Sequence, residues 1–160
     1  MQNEQVDLLL REATPEDEPF LLEVYASTRL EELEGFGWND DQKQAFIKMQ
    51  FMARERSYPR VDSRIILLNE RPIGRLLVDR GDASILLRDI ALLTEYRNRG
   101  LGSRLITELM KEAASEGKPI LLHVVVTSPA VRLYERLGFH RSGDETAAYL
   151  EMKWVPTKSN

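Results

Sequence analysis

The sequence predicts an α/β chain of the α+β kind: a mixed, mostly antiparallel twisted sheet with a central parallel pair and helices on both faces. Three observations predict it. Short β-rich runs follow one another through residues 63–93 with tight turns between them, which calls for an antiparallel meander. An amphipathic stretch at 100–116 then stands between apolar runs at 84–93 and 119–126, and a crossover of that kind makes its two flanking strands parallel neighbours. A closing run, 146–154, alternates apolar and polar residues as a half-buried antiparallel strand does.

Each element has its local reason. Residues 6–11 read as a short strand. In "TPEDEPFLLEVYAST", Thr14 is the expected N-cap, Pro15 the first helical residue and Asp17 the first-turn acid, with Phe20, Leu21, Val24 and Tyr25 on one face. A second helix is expected over 40–57, after the connection "EELEGFGWND", whose two glycines break the periodicity and predict mobility. "SRIILL", "NERP", "IGRLLVD", "GDAS" and "ILLRDIALL" then read as strand, turn, strand, turn and strand. In 100–116, Leu101, Leu105, Leu109 and Ala113 recur at fourfold spacing, and Gly117 and Pro119 end the helix. "PILLHVVV" is nearly unbroken in apolar residues, which predicts a strand buried on both faces. A short helix follows over 128–138, with Ser128 as N-cap, Pro129 first and Gly138 as terminator.

Length and composition bound the function. At 160 residues, 42% hydrophobic and 30% charged, with five Phe, five Tyr and two Trp, the chain suits one domain over 1–160 with its core at about 6–154. A net charge of −4 argues against nucleic acid or a membrane surface as partner, since both select a basic face. The absence of cysteine excludes disulfides and thiolate nucleophiles, and two histidines are too few for a zinc cluster, so no metal is expected. The N-terminal stretch has neither the basic start nor the apolar length of a signal peptide, which predicts a cytoplasmic setting.

Against that acidic background, "EYRNRGLGSRLI" at 95–106 stands out. A strand before it and a helix after it make an elbow where free N–H groups and the helix dipole attract an anion. Gly100 and Gly102 let a phosphate approach the backbone, while Arg97, Arg99 and Arg104 add charge. A P-loop would need Gly-Lys-Ser/Thr, and a dinucleotide fingerprint would need a third glycine where Leu105 stands. Taken alone, a G-x-G of this kind reads first as a solvated basic helix start.

The next segment decides. Arg97-Asn98-Arg99-Gly100-Leu101-Gly102, followed after one strand by Ala130, Leu133, Tyr134, Glu135, Gly138 and Phe139, resembles the two signatures of the GNAT N-acetyltransferase superfamily, in that family's order and over about 6–154. The resemblance implies a central parallel pair splayed apart and acetyl-CoA as co-substrate, without metal. Its pyrophosphate would lie on Arg97, Asn98, Arg99, Gly100, Leu101, Gly102 and Ser103, its pantetheine against the backbone of Ile90 and Leu92, with Ser128 as a further contact. Where the family carries an asparagine, Thr127 or Ser128 stands here. The acceptor would be a primary amine, with no nucleic acid or membrane partner and a homodimer left open.

Direct transfer from a thioester to an amine needs no enzyme nucleophile, which suits a chain lacking both cysteine and a G-x-S-x-G elbow. A lysine-like amine with a pKa of about 10.4 is mostly protonated at neutral pH, a handicap of roughly 4 kcal/mol, so a base or a desolvating site matters. By resemblance, Tyr134 is the acid that protonates the departing thiolate. The family's usual base positions correspond to Leu86 and Arg88, neither of which accepts a proton at neutral pH. Asp89 is expected on the opposite sheet face as a helix-side structural carboxylate, His123 as a core histidine that could reach the cleft, and Glu31, Glu32 or Glu34 as bases acting through water. Arg88 reads either as an anion clamp or as half of an ordinary ion pair. Among Phe36, Trp38, Phe46, Phe51 and Tyr58, the first two are the better acceptor-pocket candidates and the rest are core. Two rival readings are a catalytically silent acyl-CoA sensor and a transferase of a longer acyl group.

Overall fold

The computed structural model describes residues 7–57, 62–143 and 149–157. In chain order the elements are β1 (Leu8–Glu12), α1 (Glu18–Leu33), α2 (Asp40–Ser57), β2 (Asp62–Leu68), β3 (Arg71–Arg80), β4 (Ile85–Leu92), α3 (Leu101–Glu116), β5 (Ile120–Val125), α4 (Ala130–Arg136), β6 (His140–Arg141) and β7 (Tyr149–Trp154). The strands form one mixed sheet in the order β1-β2-β3-β4-β5-β7-β6. β4 and β5 run parallel from Ile85↔Ile120 to Leu87↔Leu122, against antiparallel pairs β1–β2, β5–β7 and β6–β7. Residue 6 of the expected first strand and residues 146–148 of the closing run lie outside the described residues, as does Tyr58. Among the described residues no helix is long and apolar enough to cross a membrane.

Internal contacts divide the chain into two compact units, residues 1–77 with 89–97, and 78–88 with 98–160. In the first unit, β1 pairs with β2 and then enters α1 through a tight turn at Pro15–Asp17. The Asp17 carboxylate fastens that entry: it accepts the Thr14 N–H at 2.8 Å and both terminal nitrogens of Arg11 at 2.8 Å. Those bonds, Arg11 first and the Thr14 backbone second, hold the carboxyl well below the usual carboxylate range. Leu21, Phe51 and Ile65 bring α1, α2 and β2 together, with Phe20 and Tyr25 packed around them. α2 begins where expected because Asn39 and Gln42 exchange side chain to backbone hydrogen bonds at 2.8 and 2.9 Å, a reciprocal box that satisfies two N–H groups at the helix start.

The connection between α1 and α2 differs from expectation. α1 continues to Leu33, a tight turn covers Glu34–Phe36, and Gly37 reverses the chain with φ of 71°. Glu31 and Glu32 therefore belong to the last turn of α1 rather than to a mobile loop. Two glycines broke the helical period later than the sequence suggested, since Leu33 still finds a buried place.

In the second unit, the ladder through β4, β5 and β7 sorts residues by face. Ile85, Ile120, Leu87, Leu122, Met152 and Leu150 occupy one face and are buried. Leu86, Leu121, His123, Val125, Tyr149, Glu151 and Lys153 occupy the other, where His123, Val125 and Tyr149 are exposed. The expectation that β5 is buried on both faces is thus corrected. An unbroken apolar run records the residues available to a strand, not what covers each side. α3 buries Leu101, Leu105, Ile106, Leu109 and Ala113, the fourfold stripe read from the sequence, and ends at Gly117 with φ of 67°. There the Lys118 N–H reaches the Ala113 carbonyl at 2.9 Å, closing a Schellman turn. β6, two residues long, had no periodicity by which to be seen.

Candidate functional site

The elbow at the start of α3 is built from left-handed backbone. Asn98 has φ of 62° and Gly100 φ of 77°. Asparagine and glycine tolerate that region at little cost, and alternating conformations of this kind turn successive N–H groups toward one side. Gly100 is the N-cap of α3 and has no side chain to offer, and its carbonyl accepts the Arg104 N–H at 3.1 Å. Helix geometry then leaves the N–H groups of Leu101, Gly102 and Ser103 without an intrahelical acceptor. A Cβ built on Gly102 meets no protein atom within 4 Å, and the residue is not left-handed. Neither packing nor conformation requires glycine at 102; what its absence of side chain preserves is room outside the helix start. A phosphate fits that room, those donors and the dipole. Arg99 and Arg104 are exposed beside it.

Arg97 is placed differently from its two neighbours in the motif. Its Nε donates to the Leu92 carbonyl oxygen at 2.9 Å and a terminal nitrogen donates to the Ser27 hydroxyl at 3.3 Å. Ser27 in turn donates to the Val24 carbonyl at 2.7 Å, so the chain leaving β4 is tied to α1. The guanidinium read from the sequence as a phosphate ligand works here as a backbone brace. The end of β4 is held a second time: the Leu93 N–H donates to the Ile73 carbonyl at 2.8 Å, and a Cβ on Gly74 would stand 2.2 Å from the Ala91 carbonyl oxygen. Only glycine admits that approach, and a glycine inside an apolar strand was the signal for it. Ile90 and Leu92, the expected pantetheine partners, lie on this braced segment of the first unit.

Tyr134 is buried on α4, with its ring 5.6 Å from that of Phe139. Pro129, rather than Ser128, is the N-cap of α4, and Ser128 just before it serves the first turn: the Ala130 N–H donates to the Ser128 hydroxyl at 3.1 Å and the Val131 N–H to the Ser128 carbonyl at 3.2 Å. The elbow residues 98–103, Ser128 and Tyr134 belong to the second unit; Ile90, Leu92 and Arg97 belong to the first.

The remaining candidates sort by partner. Asp89 stands 3.5 Å from Arg54 of α2, the helix-side pairing expected of it; burial pushes its carboxyl up, against the pull of Arg54, Arg75 and Arg29. Arg88 pairs with Asp79 at 3.4 Å, the ordinary ion pair of its two readings. Glu32 pairs with Arg29 at 3.4 Å. Phe51 is core against Tyr25, while Phe36 stacks on Trp38 at 5.5 Å with 63% of its surface exposed. His123 is not a core histidine: 54% of its side chain is exposed, and it faces Glu151 at 3.6 Å. In the first unit an open groove of about 470 Å³ runs between α1 and the turn leading to the elbow, lined by Leu22, Glu23, Ser27, Leu30, Leu93 and Glu95 among others. Among the described residues no group of three or more His, Cys, Asp or Glu is arranged to hold a metal ion.

Comparison with known proteins agrees with this geometry. The profile of the "Acetyltransferase (GNAT) family" matches residues 19–139. An uncharacterized N-acetyltransferase of Bacillus subtilis (strain 168), CgeE, is 29% identical over 98 residues, 54% of this chain and 38% of that protein, so the match spans well under half of the relative's length. The crystal structure of the PaiA N-acetyltransferase from Thermoplasma acidophilum in complex with coenzyme A superposes with a TM-score of 0.70 at 18% identity, covering 93% of this chain and 99% of the other. An acetyltransferase from Thermus thermophilus gives 0.67 at 20% identity, covering 92% and 96%. At these identities the structures establish the fold, and the profile establishes the lineage: the chain belongs to the acetyltransferase (GNAT) family.

Proposed function

We propose that this chain moves an acetyl group from acetyl-CoA to a primary amine of a small molecule or peptide, by direct attack in a ternary complex. The observation that carries the reading is the start of α3, where three N–H groups lack intrahelical acceptors and Gly102 keeps open space that the fold itself does not use. Acetyl-CoA supplies an activated thioester. The chain's own residues do the rest. The N–H groups of Leu101, Gly102 and Ser103, with Arg99 and Arg104 nearby, hold the pyrophosphate. The braced segment Ile90–Leu92 presents backbone to the pantetheine, and Arg97 acts by fixing that segment rather than by touching phosphate. Tyr134 delivers a proton to the departing sulfur. The setting is cytoplasmic and the acceptor is the second partner.

A thiol-release assay with acetyl-CoA against polyamines, amino acids, aminoglycosides and peptides tests the reading, with calorimetry on acetyl-CoA alongside. Tyr134→Phe is expected to lower kcat by about 100-fold, the scale of a lost general acid, with acetyl-CoA affinity unchanged. An unchanged kcat removes the role.

A further inference from the structure

A primary amine is protonated in neutral water and cannot attack until it loses that proton. The group that takes it must accept a proton near neutral pH, be open to a substrate, and be fixed in place. Several carboxylates are committed elsewhere: Asp89 to Arg54, Glu32 to Arg29, Asp79 to Arg88, and Glu55 to the buried Arg75. Imidazole is the side chain that titrates in the required range. His123 sits on a strand rather than a loop, on the open face of the second unit's sheet, between Leu121 and Val125.

We propose that His123, oriented by Glu151, is the base that deprotonates the acceptor ammonium; the inference deepens the acetyltransferase reading above and rests on it. His123 and Glu151 are directly opposite across β5 and β7, with Nε2 3.6 Å from Oε2. Glu151 is itself held in place. The Ser142 hydroxyl donates to its Oε1 at 3.2 Å, the Ser142 N–H donates to its carbonyl at 3.0 Å, and Gly143, left-handed at φ of 73°, leaves room where a Cβ would press on the carboxylate at 3.2 Å. With the carboxylate beside Nε2, Nδ1 is the nitrogen on the far side of the ring from Glu151 and the one proposed to take the proton. The other titratable and charged groups on this face are Lys153 and Tyr149 of β7, His140 of β6, opposite Lys153, and Arg88, which alternation along β4 places there and which Asp79 offsets.

The step balances. His123 takes one proton from R–NH3⁺ and passes it to water. The nitrogen lone pair then forms the C–N bond as the C–S bond breaks, Tyr134 gives its proton to the departing sulfur, and the nitrogen's second surplus proton returns the tyrosinate to its neutral form. Products are the amide, the free thiol and one proton in solution.

The test uses the full chain, acetyl-CoA and the panel amines, with rates followed from pH 6 to 9.5. At pH 7, His123→Gln is expected to lower kcat by about 100-fold while calorimetric acetyl-CoA affinity stays within about twofold. The deficit should shrink steadily as pH rises, because near its own pKa of about 10.4 the amine no longer needs a base. Glu151→Gln should give a smaller loss, about tenfold, with the same pH trend. A His123→Gln protein with unchanged kcat, or with a deficit constant at every pH, overturns the proposal. Wild-type protein that binds acetyl-CoA yet turns over no amine also overturns the base while leaving the cofactor site standing; absence of acetyl-CoA binding overturns the underlying reading instead.

Discussion

α3 follows β4 and α4 follows β5, yet the first turns of the two helices are finished differently. α4 is closed by its own sequence: the Ala130 N–H donates to the Ser128 hydroxyl and the Val131 N–H to the Ser128 carbonyl. α3 starts on a left-handed glycine with no side-chain cap, a second glycine two residues on, and open space beyond both. A serine at a helix start is the cheap solution to free N–H groups, and the chain uses it at one helix and withholds it at the other. Of the two helix starts, that of α3 keeps its N–H groups and the space outside them open, which is why the proposed anion site is put there.

Substitutions break or sharpen that contrast. The largest effect is expected from Gly102→Asp, which puts a negative charge where the phosphate would lie. Acetyl-CoA affinity measured by calorimetry should fall by about 100-fold or more. Stability should hold or rise slightly, since a Cβ at this position meets no protein atom within 4 Å and an acid in the first turn favours the helix dipole by about 0.3–1 kcal/mol. Affinity and melting temperature moving in opposite directions would separate ligand from scaffold; a joint fall would mean the glycine serves the fold. Gly74→Ala is the opposite kind of glycine change, because its Cβ would collide with the Ala91 carbonyl. It should cost about 1–3 kcal/mol in denaturant melts, as overpacking does, and weaken acetyl-CoA binding through displacement of Ile90–Leu92. The smallest effect belongs to Ser128→Ala. Loss of its hydroxyl should cost about 1 kcal/mol, or roughly 2–4 °C in melting temperature, with acetyl-CoA affinity changed by less than about threefold. A tenfold loss of affinity would instead make Ser128 a ligand contact.

Much of the architecture was legible in the sequence because it is locally encoded. The stripe Leu101, Leu105, Leu109 and Ala113 with Gly117 behind it marks α3 and its end. The bounds of α2 at Asp40 and Ser57 agree with the reading, since a cap box stands before the first. The elbow's glycines were legible as well, though not the left-handed turn at Asn98 that completes it. What could not be read depends on partners far along the chain. Whether Arg97 turns to a phosphate or to the Leu92 carbonyl depends on where Ser27 of α1 arrives. Whether His123 is core or exposed depends on which face of β5 is covered, and apolar neighbours on both sides of it in sequence gave the wrong impression. β6 is too short to carry any period, and the α1–α2 connection shrank because Leu33 found a buried site.

The residues alone thus set the order of the helices and of every strand but β6, the parallel crossover through α3 and the glycines of the elbow, because periodicity and caps are properties of a few adjacent residues. The tertiary structure alone decided the work of individual side chains: Arg97 as a brace, Gly74 as a point of backbone contact, Glu151 beside His123. Those roles depend on contacts between elements distant in sequence, and such contacts exist only once helices and strands have packed.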